Sequence, residues 1–438
     1  MAWPLALLLI FGCLVILMAT GMPIFLAFML TCVMGALIFW GGLVGMNQLL
    51  MSVFSSVTTF TFFPVPLFIL MGCVIFESGV GTLLVDAVDK ILGRLPGRLS
   101  LLAIGAGTLL GTMIGISGGS IAVLGKSLVP EMTKRGYQKP MTLGPIVASG
   151  TLAVLIPPSA LAVIIGALGR VSIGQILIAI IPPGLLVAAL FAAYIIVRCK
   201  LQPSVAPYYA VASVPLLEKV SAAVRHILPI GIVIFAVIGV IFVGIATPTE
   251  AAALGAIACF LLAALYRRFN WQMVKESAKS TVHITVMVFM IMTASISFSR
   301  ILACSGAIAG LMDLATSLPV HPIVIIIMTQ LVVMFLGCFM DPASIVMISV
   351  PMFMPLVAAL GFDTLWYSVI LLLNIQLGLI TPPFGLDVYT MKALAPPDVS
   401  IGDVFRSSMP FLAIGFLVMA LIMVLPQIAT WLPSMMVR

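Results

Sequence analysis

Apolar residues occur along this chain in runs of about 20, separated by short breaks rich in glycine, proline or polar residues. A helix of roughly 20 apolar residues crosses the hydrocarbon core of a bilayer. The pattern therefore predicts an all-α polytopic membrane protein. We expect straight spans near 3–20, 23–43, 60–77, 173–197, 228–245, 248–266, 281–299 and 409–432.

Two longer apolar segments, 140–169 and 365–394, are each interrupted by a Pro-Pro pair. The pairs lie at 157–158 and 382–383, an offset of 225 residues (382 − 157). Proline lacks the amide hydrogen that a helix interior requires, so both segments are predicted to be broken helices. Interrupted hydrophobic segments at matching places in two halves mark the binding site of many secondary transporters.

The distribution of basic residues orients the segments. Charged residues make up 8% of the chain, whereas soluble domains carry roughly 25%. With the N-terminus outside, all of the 20 Lys and Arg residues except Lys126, Arg170, Arg300 and Arg438 fall on the cytoplasmic side, as the positive-inside rule requires. The net charge of +7 is thus assigned to cytoplasmic loops, and no nucleic-acid partner is expected.

This orientation makes two segments enter the membrane and leave on the same side. Segment 98–133 has cytoplasmic charges at both ends and turns at GISGGS, whereas segment 320–360 enters from outside and turns at MDPAS. Both are predicted to be re-entrant helical hairpins. Irregular backbone at membrane depth occurs only where it is buried in protein or lines a wet cavity, so we expect a cavity at the turns.

The predicted organisation is therefore two inverted-topology repeats, 1–198 and 227–438, joined by a cytoplasmic linker at 199–226. Each repeat holds one hairpin and one broken helix. Mixed apolar and charged stretches predict helices that lie flat at the interface, and these are near 79–93, 214–226 and 268–280.

Broken helices present free carbonyl oxygens to cations, and hydroxyl and carboxylate oxygens suit hard cations such as Na⁺. We therefore predict one Na⁺ site in each repeat. The first would use Gly115, Ser117, Ser149, Gly150 and Pro157, and the second Gly337, Asp341, Gly378 and Thr381. The alternative interpretation is that these small residues only allow close helix packing.

The two hairpin tips are the predicted substrate site, because helix N-termini attract anions. The candidate residues are Ser117, Gly118, Ser159, Arg300, Asp341 and Pro342. Arg300 is the candidate partner of a substrate carboxylate, with snorkelling to the headgroups as the alternative. Asp341 is predicted to hold Na⁺, with a helix-capping role as the alternative.

Four sequences resemble the large membrane subunit of tripartite ATP-independent periplasmic (TRAP) transporters over essentially the whole chain. They are GISGGSIAVLGKSLVPEMTKRGY, GTLAVLIPPS, ATPTEAAALGA and QLGLITPPFG. The resemblance implies an elevator-type fold with a scaffold and a mobile transport domain, in the bacterial inner membrane. It also implies Na⁺-coupled uptake of an organic acid, a periplasmic solute-binding (P) subunit that delivers it, and a separate small four-helix (Q) subunit.

Two other functions are compatible with single features of the sequence. GISGG matches the G-x-S-x-G pattern, so Ser117 could be the nucleophile of an intramembrane serine protease, but such a serine needs a base within reach. A non-catalytic proton-channel subunit would need spaced intramembrane Lys, Glu or His, in which this chain is poor. Neither alternative accounts for the doubled hairpin and Pro-Pro unit, so we expect a transporter and not an enzyme.

Overall fold

The computed structural model describes residues 2–92, 95–114, 117–207, 215–317 and 319–436. Over these ranges the chain forms helices joined by short connections, without a strand among them. By length and composition, seven helices could cross a membrane, or eight if one pair bent by 45° counts as a single span. The predicted all-α membrane class is confirmed.

The first half contains two helical groups joined by short turns. Its helices are α1 (Trp3–Ala19), α2 (Ile24–Phe39), α3 (Leu43–Val57), a 3₁₀ turn (Phe60–Phe62), α4 (Pro64–Glu77), α5 (Val80–Leu92), α6 (Arg98–Ile114), α7 (Ser117–Lys134), α8 (Lys139–Leu155), α9 (Ala160–Gly169), α10 (Ile173–Ala179), α11 (Ile181–Leu201) and a second 3₁₀ turn (Pro203–Val205).

The second half repeats much of this order. Its helices are α12 (Leu216–Ala222), a π-helical turn (Ala223–Ile227), α13 (Leu228–Phe242), α14 (Pro248–Leu265), α15 (Trp271–Cys304), α16 (Ala307–Ser317), α17 (Pro322–Gly337), α18 (Pro342–Ala359), α19 (Thr364–Gly378), α20 (Leu386–Leu394), α21 (Ile401–Val424) and α22 (Gln427–Ser434).

Each predicted hairpin is a pair of helices, α6–α7 and α17–α18, and each predicted broken helix is a pair, α8–α9 and α19–α20. Both breaks contain the Pro-Pro pair, and the peptide bond within each pair is cis. The halves thus share their element order. The opposite orientation of the halves in the membrane stays a prediction from the charge distribution.

The same close crossing also occurs in both halves. A Cβ atom on Gly111 of α6 would lie 2.2 Å from the Cα of Ala153 on α8, and one on Gly337 of α17 would lie 2.8 Å from the Cα of Gly378 on α19. Small residues at these positions let the first limb of each hairpin approach the first arm of its broken helix.

The helices form two groups. Helices α2, α3 and α4 pack with α14 and α15, and α1 packs with α16. The hairpins and broken helices form the second group, on which α10, α11, α21 and α22 pack. Within it, α9 packs on α18 and α20 packs on α7, so the second arm of each broken helix contacts the hairpin of the other half.

One sequence prediction of local structure was wrong, and one helix was missed. The flat helix expected near 268–280 is the beginning of α15, which continues for 34 residues after Asn270 caps its N-terminus, because no Gly or Pro interrupts it. Helix α3 was not predicted, since Asn47 and Gln48 lower its hydrophobicity. It packs on α15. Residues 208–214 of the predicted linker lie outside the described residues.

The topology can be tested at two matched positions, Thr133 and Ala359, which are exposed in the last turns of α7 and α18. Cysteine would replace each in turn on a background in which the seven native cysteines are alanine. In intact spheroplasts, a membrane-impermeant maleimide should label Ala359→Cys and should label Thr133→Cys only after permeabilisation. Labelling of both positions from the same side would contradict hairpins that enter from opposite faces.

Candidate substrate and ion cavity

A cavity of about 500 Å³ lies between the two helical groups. We call it the central cavity. Helices α4 and α15 form one wall, chiefly with apolar side chains such as Phe68 and Met287. The opposite wall contains Ser117 and Gly119 at the tip of the first hairpin, and Asp341 at the tip of the second. Residues from both predicted turns therefore line one cavity.

The tip of the second hairpin is organised by Asp341. The Ser344 amide donates a hydrogen bond to Asp341 Oδ2 over 3.1 Å, so the carboxylate caps the N-terminus of α18. Asp341 and the adjacent Pro342 also line the central cavity. Asp341 therefore caps α18 and also lines the cavity. The two roles, which the sequence presented as alternatives, are compatible.

The tip of the first hairpin is joined to the second half of the chain. The Ser117 hydroxyl donates a hydrogen bond to Asp387 Oδ1 of α20 over 2.9 Å. Asp387 is 3% exposed, and its Oδ2 atom is buried without a hydrogen-bond partner among the described residues. Sequence reasoning missed Asp387. The available signal was an acidic residue four positions after Pro383 in an apolar segment, because an acidic side chain at membrane depth is costly and usually functional.

A second buried polar group reaches the cavity from α19. Gln376 lines the central cavity, is fully buried, and has neither amide atom hydrogen-bonded within the described part of the chain. Buried amides are usually paired, because an unpaired one costs about 1–3 kcal/mol. The Gln376 amide is therefore available to a polar solute.

The first predicted cation site is assembled only in part. A Cβ atom on Gly150 would lie 3.2 Å from Asp387 Oδ2, so the Gly150 backbone and Ser117 both adjoin this carboxylate. The Ser149 hydroxyl instead donates to the Ile146 carbonyl over 2.6 Å. Pro157 lies in the helix break, and Gly115 lies outside the described residues.

The second predicted cation site contains the close crossing of Gly337 and Gly378, which are the last residues of α17 and α19. The Gly378 carbonyl accepts a hydrogen bond from the Thr381 amide over 3.1 Å, so it is partly satisfied within the helix break. The Thr381 hydroxyl donates to the Leu377 carbonyl over 2.7 Å. Asp341 lies at the other side of the hairpin turn, with its carboxylate engaged in capping.

The remaining predicted substrate residues occupy different places. Ser159 is buried and caps α9 by accepting a hydrogen bond from the Ala162 amide over 3.4 Å. Gly118 is half-buried at the first tip, and a Cβ atom there would lie 4.0 Å from Thr390 Oγ1.

Arg300 is not brought to the hairpin tips. It is exposed near the end of α15, in a separate depression with Trp40 and Gln48, and its Nη2 atom donates to Ser55 Oγ over 3.2 Å. A position near the end of a membrane helix is compatible with a side chain at the hairpin tips or at the headgroups. The packing of α3 on α15 places the Arg300 side chain beside Ser55 instead. The prediction that it pairs with a substrate carboxylate at the tips has no support in this geometry.

Comparisons with known proteins agree with this arrangement. Residues 11–428 match the family described as "Tripartite ATP-independent periplasmic transporter, DctM component". This chain belongs to the DctM family. A DctM-family relative named ectoine TRAP transporter large permease protein TeaC, from Halomonas elongata, is 30% identical, with 96% of this chain and 97% of TeaC covered. The C4-dicarboxylate TRAP transporter large permease protein DctM of Pseudomonas aeruginosa is 27% identical, with 89% and 90% covered.

A solved structure, that of the Alcanivorax borkumensis YdaH transporter, has the same overall fold. Its TM-score is 0.66 at 14% identity, with 91% of this chain and 96% of that chain covered. The DctM-family relatives are named as permeases, so the transporter expected from the sequence is confirmed and the protein is not an enzyme. In agreement, the Ser117 hydroxyl donates to a carboxylate and not to a histidine.

The crossing of α17 and α19 generates a stability prediction. A methyl group on Gly378 would lie 2.7 Å from the Gly337 Cα, and a backbone contact cannot be relieved by side-chain rotation. We expect Gly378→Ala to destabilise the fold by about 1–3 kcal/mol, seen as a lower unfolding temperature in detergent. Gly231→Ala on α13 is the control, since nothing lies within 4 Å of its Cβ position. Equal unfolding temperatures for the two variants would contradict the crossing.

Proposed function

We propose that this large permease subunit takes up an organic acid across the bacterial inner membrane by coupling its entry to Na⁺. A periplasmic solute-binding subunit would deliver the acid, and a small four-helix membrane subunit would complete the transporter. The proposal depends mainly on one observation, the negative charge of the residues that line the central cavity.

The formal charges at the central cavity are negative. Glu77 and Asp341 line it, whereas no Lys or Arg occurs among its described lining residues. An organic acid entering this space would be repelled unless positive charge accompanied it. The N-termini of α7 and α18 supply partial positive charge at the tips, but they do not balance two carboxylates and a bound acid. Co-transported cations would supply the difference, and this favours cation coupling.

Na⁺ suits the oxygen atoms at the hairpin turns and helix breaks. The carbonyls at the ends of α17 and α19, the Ser117 hydroxyl and the Asp387 carboxylate are hard ligands. The fit is supported by unpaired buried oxygens, because Asp387 Oδ2 and Thr151 Oγ1 have no hydrogen-bond partner among the described residues. A bound Na⁺ would satisfy such atoms.

The solute is proposed to be a carboxylate. C4-dicarboxylates and ectoine, the solutes in the names of two relatives, both contain carboxylate groups, so the anion-attracting helix N-termini suit either. Gln376 could pair with a further donor and acceptor of the solute. A zwitterionic carboxylate is the second candidate, since Glu77 and Asp341 could accept its cationic group.

An elevator motion would move the hairpins and broken helices as one unit along α4 and α15. Two features support this part of the proposal. The wall that α4 and α15 present to the cavity is largely apolar, and an apolar surface offers few directional contacts that resist sliding. The interlocking of α7 with α20 and of α9 with α18 holds the moving elements together.

The proposal is tested in proteoliposomes that contain the large and small subunits, with the solute-binding protein encoded beside them. Radiolabelled succinate, sialic acid, isethionate and ectoine would be offered in turn, with inward Na⁺ or proton gradients. We expect uptake of one solute only with the Na⁺ gradient and the loaded binding protein. We also expect the apparent KM for the solute to rise as Na⁺ is lowered, because the cation offsets the solute's charge.

Omission of the binding protein, and replacement of Na⁺ by choline, are the controls. Equal uptake on a proton gradient in the absence of Na⁺ would refute the Na⁺ assignment. Uptake without any binding protein would refute delivery by a periplasmic partner.

A further inference from the structure

Asp387 is a buried carboxylate whose surroundings do not balance its charge. It is 3% exposed, and within the described part of the chain its carboxylate accepts a hydrogen bond from the Ser117 hydroxyl alone. No salt bridge to it occurs among the described residues. Burial of an unpaired charge costs several kcal/mol even after relaxation, so a role for this carboxylate is expected.

Its position in the first turn of α20 does not offset that cost. An acidic residue near a helix N-terminus gains a modest stabilisation from the helix dipole, which is smaller than the cost of burying an unpaired charge. The amides of this turn are already bonded to backbone carbonyls. The Asp387 amide donates to Leu379, and the Val388 and Tyr389 amides donate to Gly385. Helix capping therefore does not provide a hydrogen-bond partner for the second carboxylate oxygen of Asp387.

The second oxygen of Asp387 lies beside Gly150 of α8. Asp387 Oδ2 has no hydrogen-bond partner among the described residues, and a Cβ atom on Gly150 would lie only 3.2 Å from it. The hydroxyls of Ser120 on α7 and Thr151 on α8 are also buried without partners in the described part of the chain. These groups lie on three helices that pack together, since α7 contacts both α8 and α20.

We propose that Asp387 is the charged ligand of the first cation site and binds Na⁺ together with Ser117 and the backbone of Gly150. This inference rests on the proposed Na⁺ coupling and adds a ligand from the second half of the chain to a site predicted entirely within the first. A carboxylate fits a hard monovalent cation, and the cation balances the buried charge. Occupation of the site would then tie the first hairpin to the second broken helix.

The test measures Na⁺ binding without transport. The unfolding temperature of the purified transporter would be followed as NaCl replaces choline chloride at constant ionic strength. Asp387→Asn removes the charge but keeps an oxygen that accepts the Ser117 hydrogen bond. We expect the Na⁺ concentration for half of the stabilisation to rise at least tenfold. Asp313→Asn is the control, because Asp313 is exposed on α16, and it should behave as the wild type does.

The outcomes separate this inference from the proposed function. Equal Na⁺ dependence in Asp387→Asn and the wild type would exclude Asp387 as a ligand and leave Na⁺ coupling intact. If Na⁺ stabilises the wild type no more than choline does, the proposed coupling fails and this inference fails with it.

A second measurement needs no substitution and covers the case in which Asp387→Asn does not fold. Dicyclohexylcarbodiimide modifies carboxyl groups in apolar surroundings, and mass spectrometry of the α20 peptide would report the modification of Asp387. We expect Na⁺, but not choline, to slow this modification. Equal modification rates in the two salts would overturn the assignment.

Discussion

Backbone that leaves a helix at membrane depth must find its hydrogen-bond partners inside the protein, and the arrangement of this permease follows from that requirement. The break between α19 and α20 shows how it is met. The Gly385 amide donates to the Cys338 carbonyl at the second hairpin tip, and the Asp387 amide donates to the Leu379 carbonyl. A broken helix and a hairpin turn thus stabilise each other, and neither could be exposed to lipid alone.

The same requirement joins the two halves. Helix α20 packs on α7 and α9 packs on α18, so each hairpin is completed by an arm from the other half. The Ser117–Asp387 hydrogen bond lies within the first of these contacts. The central cavity lies between the hairpin tips and the wall formed by α4 and α15, and Ser117, Asp341 and Gln376 line it there. The location of the central cavity therefore follows from how the backbone is satisfied.

Features set by local backbone chemistry were predictable from the sequence. The Pro-Pro pairs place both helix breaks, and the glycine-rich or MDPAS turns place both hairpin tips, because proline and glycine act on the backbone where they occur. Features set by packing between distant segments were not predictable. Asp387 lies 270 residues from Ser117, and nothing local to either residue indicates their contact. Arg300 is absent from the central cavity for the same reason, since the packing of α3 on α15 sets its surroundings.

Helix α3 shows why hydrophobicity did not predict every helix. Its polar residues reduce its average hydrophobicity, yet Ser52 hydrogen-bonds Ser297 of α15 over 3.1 Å and is buried. A polar residue in such a helix is satisfied by a partner helix that no sequence window contains. Hydrophobicity alone therefore identifies the helices that face lipid better than those that pair through hydroxyl groups.

The central claim is that the first hairpin and the second broken helix form one unit that stays together during transport. A Cβ atom on Gly125 of α7 would lie 3.4 Å from the Cβ of Leu394 on α20, which is close to the separation of about 3.5–4.5 Å found in disulfides. The most direct measurement is solute uptake by Gly125→Cys/Leu394→Cys after oxidation and after reduction, in a background without other cysteines. The account predicts equal uptake in both states, whereas uptake that is lost on oxidation and restored by reduction would contradict it.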